Sequence, residues 1–303
     1  MVSLGITPQQ LLSAYERGEN ITQLLRQAGR VSENTEGIIE IAYDLQAGSY
    51  VKRMADSEKR EFAKSYNTAI ASEIRKLVER PRNLLEAGIG EATTLSGVLK
   101  NLGQDPRSAY GFDLSWSRIA QARQWLARQD LSGVHLCTAT LSEIPYPDSA
   151  FDVVYTSHAV EPNGGNEIPI LKELYRVTAR YLLLFEPSYE MASAEGKKRM
   201  RKHGYCTCLE QKCRQLGFEI LEVRRFEKCA NPLNPTMVLI IEKSKSLPRR
   251  SPKAIHVCPL FKTPLMKRKG VMVSAPRLIV YPIIDNIPCL RVSNAIVASH
   301  FGG

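Results

Sequence analysis

Residues 83–90, Asn-Leu-Leu-Glu-Ala-Gly-Ile-Gly, constrain this chain more than any other stretch. An apolar run ends in Glu86 and drops at once into Gly88 and Gly90. That pattern predicts a buried strand followed by a turn whose bare backbone can approach a ligand at the strand's carboxyl end. A second strand-like run leads to Asp113, whose carboxylate can accept both hydroxyls of a ribose. Glycine turns of this kind also serve the pyrophosphate of dinucleotides. Here Ala92 stands where such sites carry a later glycine, and a carboxylate at Glu86 repels a pyrophosphate but suits a cation. The expected ligand is a positively charged cofactor that contains a nucleoside.

The flanking pattern sets the fold. Strands are expected at 83–87, 107–112, 134–138, 151–155 and 181–185, with helices at 92–102, 116–128 and 168–177. Ser115 caps the second of these helices. A helix over 206–216, stopped by Gly217, precedes two further strands at 218–224 and 237–242. This alternation predicts an α/β fold with a doubly wound, seven-stranded, mostly parallel sheet that ends in an antiparallel hairpin. Upstream, Thr7-Pro8 opens a helix, Ile21, Leu24 and Leu25 mark a second, and Phe62, Tyr66, Ile70, Ile74 and Leu77 stripe a third that ends before Pro81. The expected division is an N-terminal helical region and cofactor lid (1–80), a cofactor-binding domain (81–243), a basic linker (244–253) and a small β-rich module (254–303).

Charge is distributed unevenly. Ten basic residues and no acid lie between Lys243 and Ile284; without them the other lysines and arginines equal the 31 acids in number. The segment suits an anionic partner such as RNA or a phosphate-bearing substrate, or else a solvated surface. No apolar stretch approaches the roughly 20 residues that span a bilayer, and no secretory signal is visible. Seven irregularly spaced cysteines do not form a disulfide framework, so a cytoplasmic setting is expected.

Three segments together, residues 86–90, residues 111–115 and Ile-Pro-Tyr-Pro-Asp-Ser-Ala-Phe-Asp-Val-Val at 144–154, resemble class I S-adenosylmethionine-dependent methyltransferases in order and spacing. The resemblance covers residues 80 to 243 and implies S-adenosylmethionine as cofactor. It places Glu86 near the methionine amino group, Gly88 and Gly90 beneath the cofactor, Asp113 on the ribose, and Thr140 and Leu141 beside the adenine. Many relatives carry an Asp-Ala pair at this last position, so a hydroxyl or backbone group is expected to meet the adenine amino group here.

Methyl transfer needs an in-line nucleophile about 3 Å from the methyl group, and a base when the acceptor is a hydroxyl. The segment after the fourth strand, Thr-Ser-His-Ala-Val-Glu-Pro-Asn at 156–163, offers His158 as base, with Glu161 orienting it or touching substrate. The alternative is that His158 caps the strand under a substrate loop. His203, among Lys197, Lys198, Arg199, Arg201 and Lys202, is a second candidate beside an anionic acceptor, unless that stretch is a solvated basic helix. His203, Cys206, Cys208 and Cys213 lack a common zinc spacing and read as free or buried thiols, so no metal is expected. Residues 41–50 and 157–163 resemble methyltransferases encoded among bacterial surface-polysaccharide enzymes, which implies Gln46 and Tyr50 in a lid, with core packing as the alternative for Tyr50.

Cys258-Pro259-Leu260-Phe261 and the later Tyr281-Pro282 segment resemble a zinc-ribbon-like family that includes the activator subunit of several methyltransferases. Phe261 replaces the second cysteine, while Ser274 and Arg277 fall near the later pair, so a zinc tetrahedron is not assembled. A metal-free docking module is expected, held by Phe261, Ile279, Tyr281, Ile283 and Ile287. The functions in view are methylation of a small-molecule or glycan hydroxyl, methylation of RNA, and non-catalytic cofactor binding as a scaffold. The oligomeric state is left open.

Overall fold

The computed structural model describes residues 6–243, 256–274 and 278–301. The linker expected at 244–253 lies outside them, as does Arg277.

The chain opens with helices α1 (Pro8–Glu16), α2 (Ile21–Gly29), α3 (Glu36–Asp44), α4 (Ser49–Arg53) and α5 (Ser57–Leu77). Thr7 and Gln10 make a reciprocal capping box on α1, and Asp56 caps α5 through Lys59 N. Strands and helices then alternate: β1 (Leu84–Ala87), α6 (Thr93–Leu102), β2 (Ala109–Asp113), α7 (Trp116–Arg128), β3 (His135–Thr138), β4 (Phe151–Ser157), α8 (Glu167–Val177) and β5 (Thr178–Pro187). Helices α9 (Ala194–His203) and α10 (Leu209–Gln215) precede strands β6 (Glu219–Arg225) and β7 (Thr236–Glu242). The expected helix over 206–216 starts later, because Cys208 takes a left-handed φ of 56°.

The seven strands run in the order β3-β2-β1-β4-β5-β7-β6. The first five in that order are parallel, and β7 enters antiparallel between β5 and β6. Strand β1 is buried throughout, so its alternate side chains feed opposite faces of the sheet: Leu85 and Ala87 join one apolar cluster and Leu84 the other. Chain direction across the sheet reverses between β1 and β4. The register Ala87↔Phe112 and Ala87↔Thr156 sets the carboxyl ends of β1, β2 and β4 side by side there, which is where an open α/β sheet forms its ligand crevice.

A second, antiparallel sheet comprises β8 (Leu265–Arg268), β9 (Val271–Ser274), β10 (Ile279–Ile284), β11 (Ile287–Pro288) and β12 (Ile296–Val297). It covers the exposed edge of β3: Cys289 bridges Thr138 in parallel, and Leu290 N donates to Thr138 O at 2.9 Å. His256 stacks on Tyr146 at 5.3 Å, and Arg291 pairs with Glu36 and Glu40 of α3. Cys258, Leu265, Tyr281 and Leu290 enter the same apolar cluster as Phe112 and Tyr146. Each such fully buried side chain contributes on the order of 1.5–3 kcal/mol, so this sheet is built into the core of the first. Ile279, Tyr281 and Ile287 are buried as expected, and Cys258 Sγ meets the Tyr281 hydroxyl at 3.1 Å. Phe261 is a correction: it is 51% exposed on a turn and lies outside the apolar cluster.

Candidate active site

Three backbone turns build the site. Gly88 and Gly90 have φ of 75° and 55°, the left-handed region where a β-carbon is strained. A β-carbon on Gly88 would lie 2.3 Å from the Ala159 β-carbon, so the turn after β1 and the loop after β4 touch through bare backbone. The turn is tied to β2 by Asp113, whose Oδ2 accepts Gly90 N at 2.9 Å and whose Oδ1 accepts Ser115 N at 3.0 Å. Each carboxylate oxygen keeps a further lone pair for a ribose hydroxyl.

Glu86 is buried at the end of β1 and accepts a hydrogen bond from the Tyr155 hydroxyl of β4 at 2.8 Å. Burial pushes its carboxyl up to about 8, against the pull of Tyr155 and with the charge of Asp113 adding to the rise. A neutral acid there gains from a cationic ligand by losing its proton. Between the ordinary carboxylate value and about 8 the ligand-free protein holds that proton, and an ammonium group lowers the pKa. Cofactor binding at pH 7 is therefore expected to release a proton, and affinity to rise as pH climbs toward 8. Calorimetry in buffers of different ionisation enthalpy measures that proton, and Glu86→Gln should remove it.

Thr140 and Leu141 lie beyond β3, lining a small cavity of about 100 Å³ with Asp113, Gly88 and Ala159. The Thr140 hydroxyl accepts Ser142 N at 3.1 Å and meets the Ser142 hydroxyl at 2.7 Å, so it is held within its own loop. A larger cavity of about 520 Å³ continues past Gly88 and Glu86 and is bordered by His158, Glu161 and residues of the N-terminal helices.

His158, with a left-handed φ of 56°, is held at both ring nitrogens: Nδ1 meets Glu161 Oε2 at 2.7 Å and Nε2 meets Thr236 Oγ1 at 3.1 Å. Burial opposes a charge on His158, but the Glu161 hydrogen bond and carboxylate outweigh it and set its pKa above the ordinary imidazole value. Beneath them Glu186 accepts Ala159 N at 3.0 Å and Glu161 N at 3.1 Å, and burial raises its own carboxyl to about 7. His203 is placed apart, in an adjoining cavity with Asn20 Nδ2 3.2 Å from its Nδ1. Burial and the Arg199 charge hold His203 below the ordinary imidazole value, with Lys202 and Arg26 adding to the fall against the pull of Glu161.

The N-terminal helices are tethered directly to this crevice. Glu91 accepts the backbone N–H groups of Gly48, Tyr50 and Val51 at 3.0, 3.3 and 2.7 Å, which fastens α4 to the glycine turn. Asp44 accepts the Ser115 and Ser117 hydroxyls at 2.6 and 3.0 Å. Tyr50 lines the larger cavity and Gln46 the adjoining one. Sequence reasoning missed Tyr155, Glu186 and Arg118. Arg118 lies against Gly90, with its guanidinium 4.7 Å from the Tyr50 ring centre and 5.1 Å from that of Tyr43. The one available signal for Arg118 was its position on the first turn of the helix after Asp113.

Residues 84–181 match the family described as "Methyltransferase domain". Magnesium protoporphyrin IX methyltransferase (ChlM) from Synechocystis PCC 6803 with bound SAH is similar in structure, with TM-score 0.54 and 13% identity over 69% of this chain and 100% of that one. The fold is a methyltransferase fold. S-adenosylmethionine is the cofactor these matches support. A complex of the Haloferax volcanii Trm112 methyltransferase activator and a methyltransferase is similar at TM-score 0.51 and 14% identity, over 66% of this chain and 96% of that one. Ajmaline N-methyltransferase from Rauvolfia serpentina is 31% identical over 102 residues, 33% of this chain and 34% of that enzyme. The chain thus spans about a third of the length of this curated relative. No helix among the described residues is long and apolar enough to cross a membrane.

Proposed function

We propose that this chain is an S-adenosylmethionine-dependent methyltransferase acting on the hydroxyl of a small molecule or glycan. The observation that carries the reading is the convergence of buried Glu86, the bare Gly88 turn and Asp113 on adjacent strand ends, at the mouth of a cavity that holds Glu161. Glu86 would take the methionine ammonium, Gly88 and Gly90 the backbone approach, Asp113 the ribose hydroxyls, and Thr140 and Leu141 the adenine. The cofactor supplies a methyl group on a positively charged sulfur. An acceptor hydroxyl that takes this methyl group would give up its proton to the protein.

His158 and Glu161 act on that proton as a pair. Both ring nitrogens of His158 are engaged, so we assign His158 to positioning and the Glu161 carboxylate to accepting the proton. His203, in the adjoining cavity, would meet the far part of the acceptor. The free state of all seven cysteines supports a reducing, cytoplasmic setting.

RNA is retained as a second acceptor class because Lys267, Arg268 and Lys269 stand exposed on the β8–β9 hairpin. Other basic residues of that segment are used internally: Lys262 pairs with Glu173 at 2.9 Å, and Lys243 donates to the Tyr175 carbonyl at 2.8 Å. The second sheet, seated on β3 beside Thr140, we read as a fused, metal-free docking module that steadies the adenine loop. The activator complex named above is the analogy for a docking module, there carried by a separate protein. Transfer of labelled methyl groups to fractions of a cytosolic extract tests the reading. Small-molecule products support the first class, steeply salt-dependent RNA labelling the second, and cofactor binding without any transfer a scaffold.

A further inference from the structure

The larger cavity has a chemical bias that narrows the acceptor. Its walls carry the rings of Tyr50, Phe62, Tyr66 and Tyr205. Phe62 and Tyr66 stack at 6.0 Å, and Tyr66 is fixed by a 3.0 Å hydrogen bond to Ser157 at the end of β4. A wall of rings this dense favours a planar apolar guest, which gains both area burial and ring stacking.

The charges in the same cavity are unequal in their state of satisfaction. Every acid on its wall is already engaged. Glu86 holds Tyr155, Glu91 holds three backbone N–H groups of the α4 segment, and Glu161 holds His158. The arginines make no ion pair among the described residues: Arg199 reaches the Tyr205 hydroxyl and ring, and Arg53 a ring alone. Arg199 keeps its Nη1 out of solvent with no hydrogen-bond acceptor, its guanidinium 5.6 Å from the Tyr205 ring centre. Arg53 stands exposed at the rim, 4.8 Å from the Tyr50 ring centre, and makes no ion pair among the described residues. Arg118, the third guanidinium, belongs to the cofactor end, against Gly90 and within the field of Asp113. A buried donor left without a partner costs free energy that a bound acceptor group returns, and a guanidinium selects a carboxylate or phosphate through two parallel bonds.

We infer that the acceptor is a small aromatic molecule bearing an acidic group, its ring held among Tyr50, Phe62, Tyr66 and Tyr205 and its anion by Arg199, with Arg53 closing the rim. The inference rests on the methyltransferase reading and narrows it from a glycan or general small molecule to an aromatic acid. A cavity of about 520 Å³ suits a free small molecule better than a base carried by an RNA strand.

The test uses the full chain with S-adenosylhomocysteine bound. Calorimetry compares three acids, 4-hydroxybenzoate, 2-naphthoate and indole-3-acetate, each with its neutral amide. At least one acid should bind tenfold or more tightly than its amide, the size expected of a charge-assisted pair. Arg199→Gln should erase that preference and leave S-adenosylhomocysteine affinity within twofold; Arg199→Lys should retain part of it. Equal binding of every acid and amide, or no binding of either, overturns the inference. So does a preference that survives Arg199→Gln, a loss of S-adenosylhomocysteine affinity in that variant, or tighter binding by a short single-stranded RNA that Arg199→Gln weakens. Failure of the wild type to bind S-adenosylhomocysteine at all is a different result, and it removes the methyltransferase reading itself.

Discussion

Asp113→Ala is expected to weaken S-adenosylmethionine binding by about 100-fold or more. Two charge-assisted hydrogen bonds to a ribose contribute about 3 kcal/mol together at the lower end of their usual range, and 1.4 kcal/mol is a factor of ten. The same carboxylate accepts Gly90 N and Ser115 N, so its removal also loosens the Gly90 end of a turn that Gly88 N and Ile89 N still tie to the Phe112 carbonyl of β2. Asp113→Asn separates the two roles. It keeps one acceptor oxygen but turns an amide donor toward a donor already in place, and should fall between wild type and alanine. Calorimetry gives the affinities, and circular dichroism checks that each variant is folded. Unchanged affinity in a folded Asp113→Ala protein would remove the ribose assignment and the cofactor reading that depends on it.

The fold was legible because its signals are local. Strands buried on both faces read as largely apolar runs, and β1 and β7 emerged within two residues of their expected bounds. The cap at Ser115 was legible for the same reason, since it depends on one side chain and its own helix. What sequence did not show was the attachment of one part to another. The pairing of Cys289 with Thr138 and of Arg291 with Glu36 joins residues far apart in the chain, and no local pattern records it. Phe261 misled because an aromatic residue beside Cys258 suggests packing, whereas the turn it occupies points it outward.

The site divides along the same line. Glu86, Gly88, Gly90 and Asp113 could be read because each is set by its place at a strand end, and strand ends are visible in sequence. Tyr155 was read only as a strand residue. Its role comes from the parallel pairing of β4 with β1, in which Tyr155 stands opposite Glu86. The relation of His158 to Thr236 likewise needed β7 beside β5, an order that alternation alone does not fix. That contact matters for the chemistry, because a histidine engaged at both nitrogens positions a carboxylate better than it removes a proton.

Glu161→Gln should accordingly lower kcat by about 100-fold, the smaller end of what a positioned proton acceptor contributes, while cofactor affinity stays within twofold. Glutamine keeps the size and one acceptor for His158 but cannot take the acceptor's proton. His158→Gln should cost less, about tenfold, since the carboxylate survives with poorer orientation. The two variants differ in their dependence on pH. With its pKa raised by Glu161, His158 keeps its charge to a higher pH than an ordinary imidazole and loses it as pH rises past that raised value. The wild-type rate should then fall on the alkaline side at a pH above the ordinary imidazole range, and His158→Gln should lack that fall while keeping a residual rate. Single-turnover rates across pH measure both effects. If Glu161→Gln leaves kcat intact, the acceptor atom carries no proton that must be removed, and the hydroxyl assignment gives way to a nucleophile that is already unprotonated.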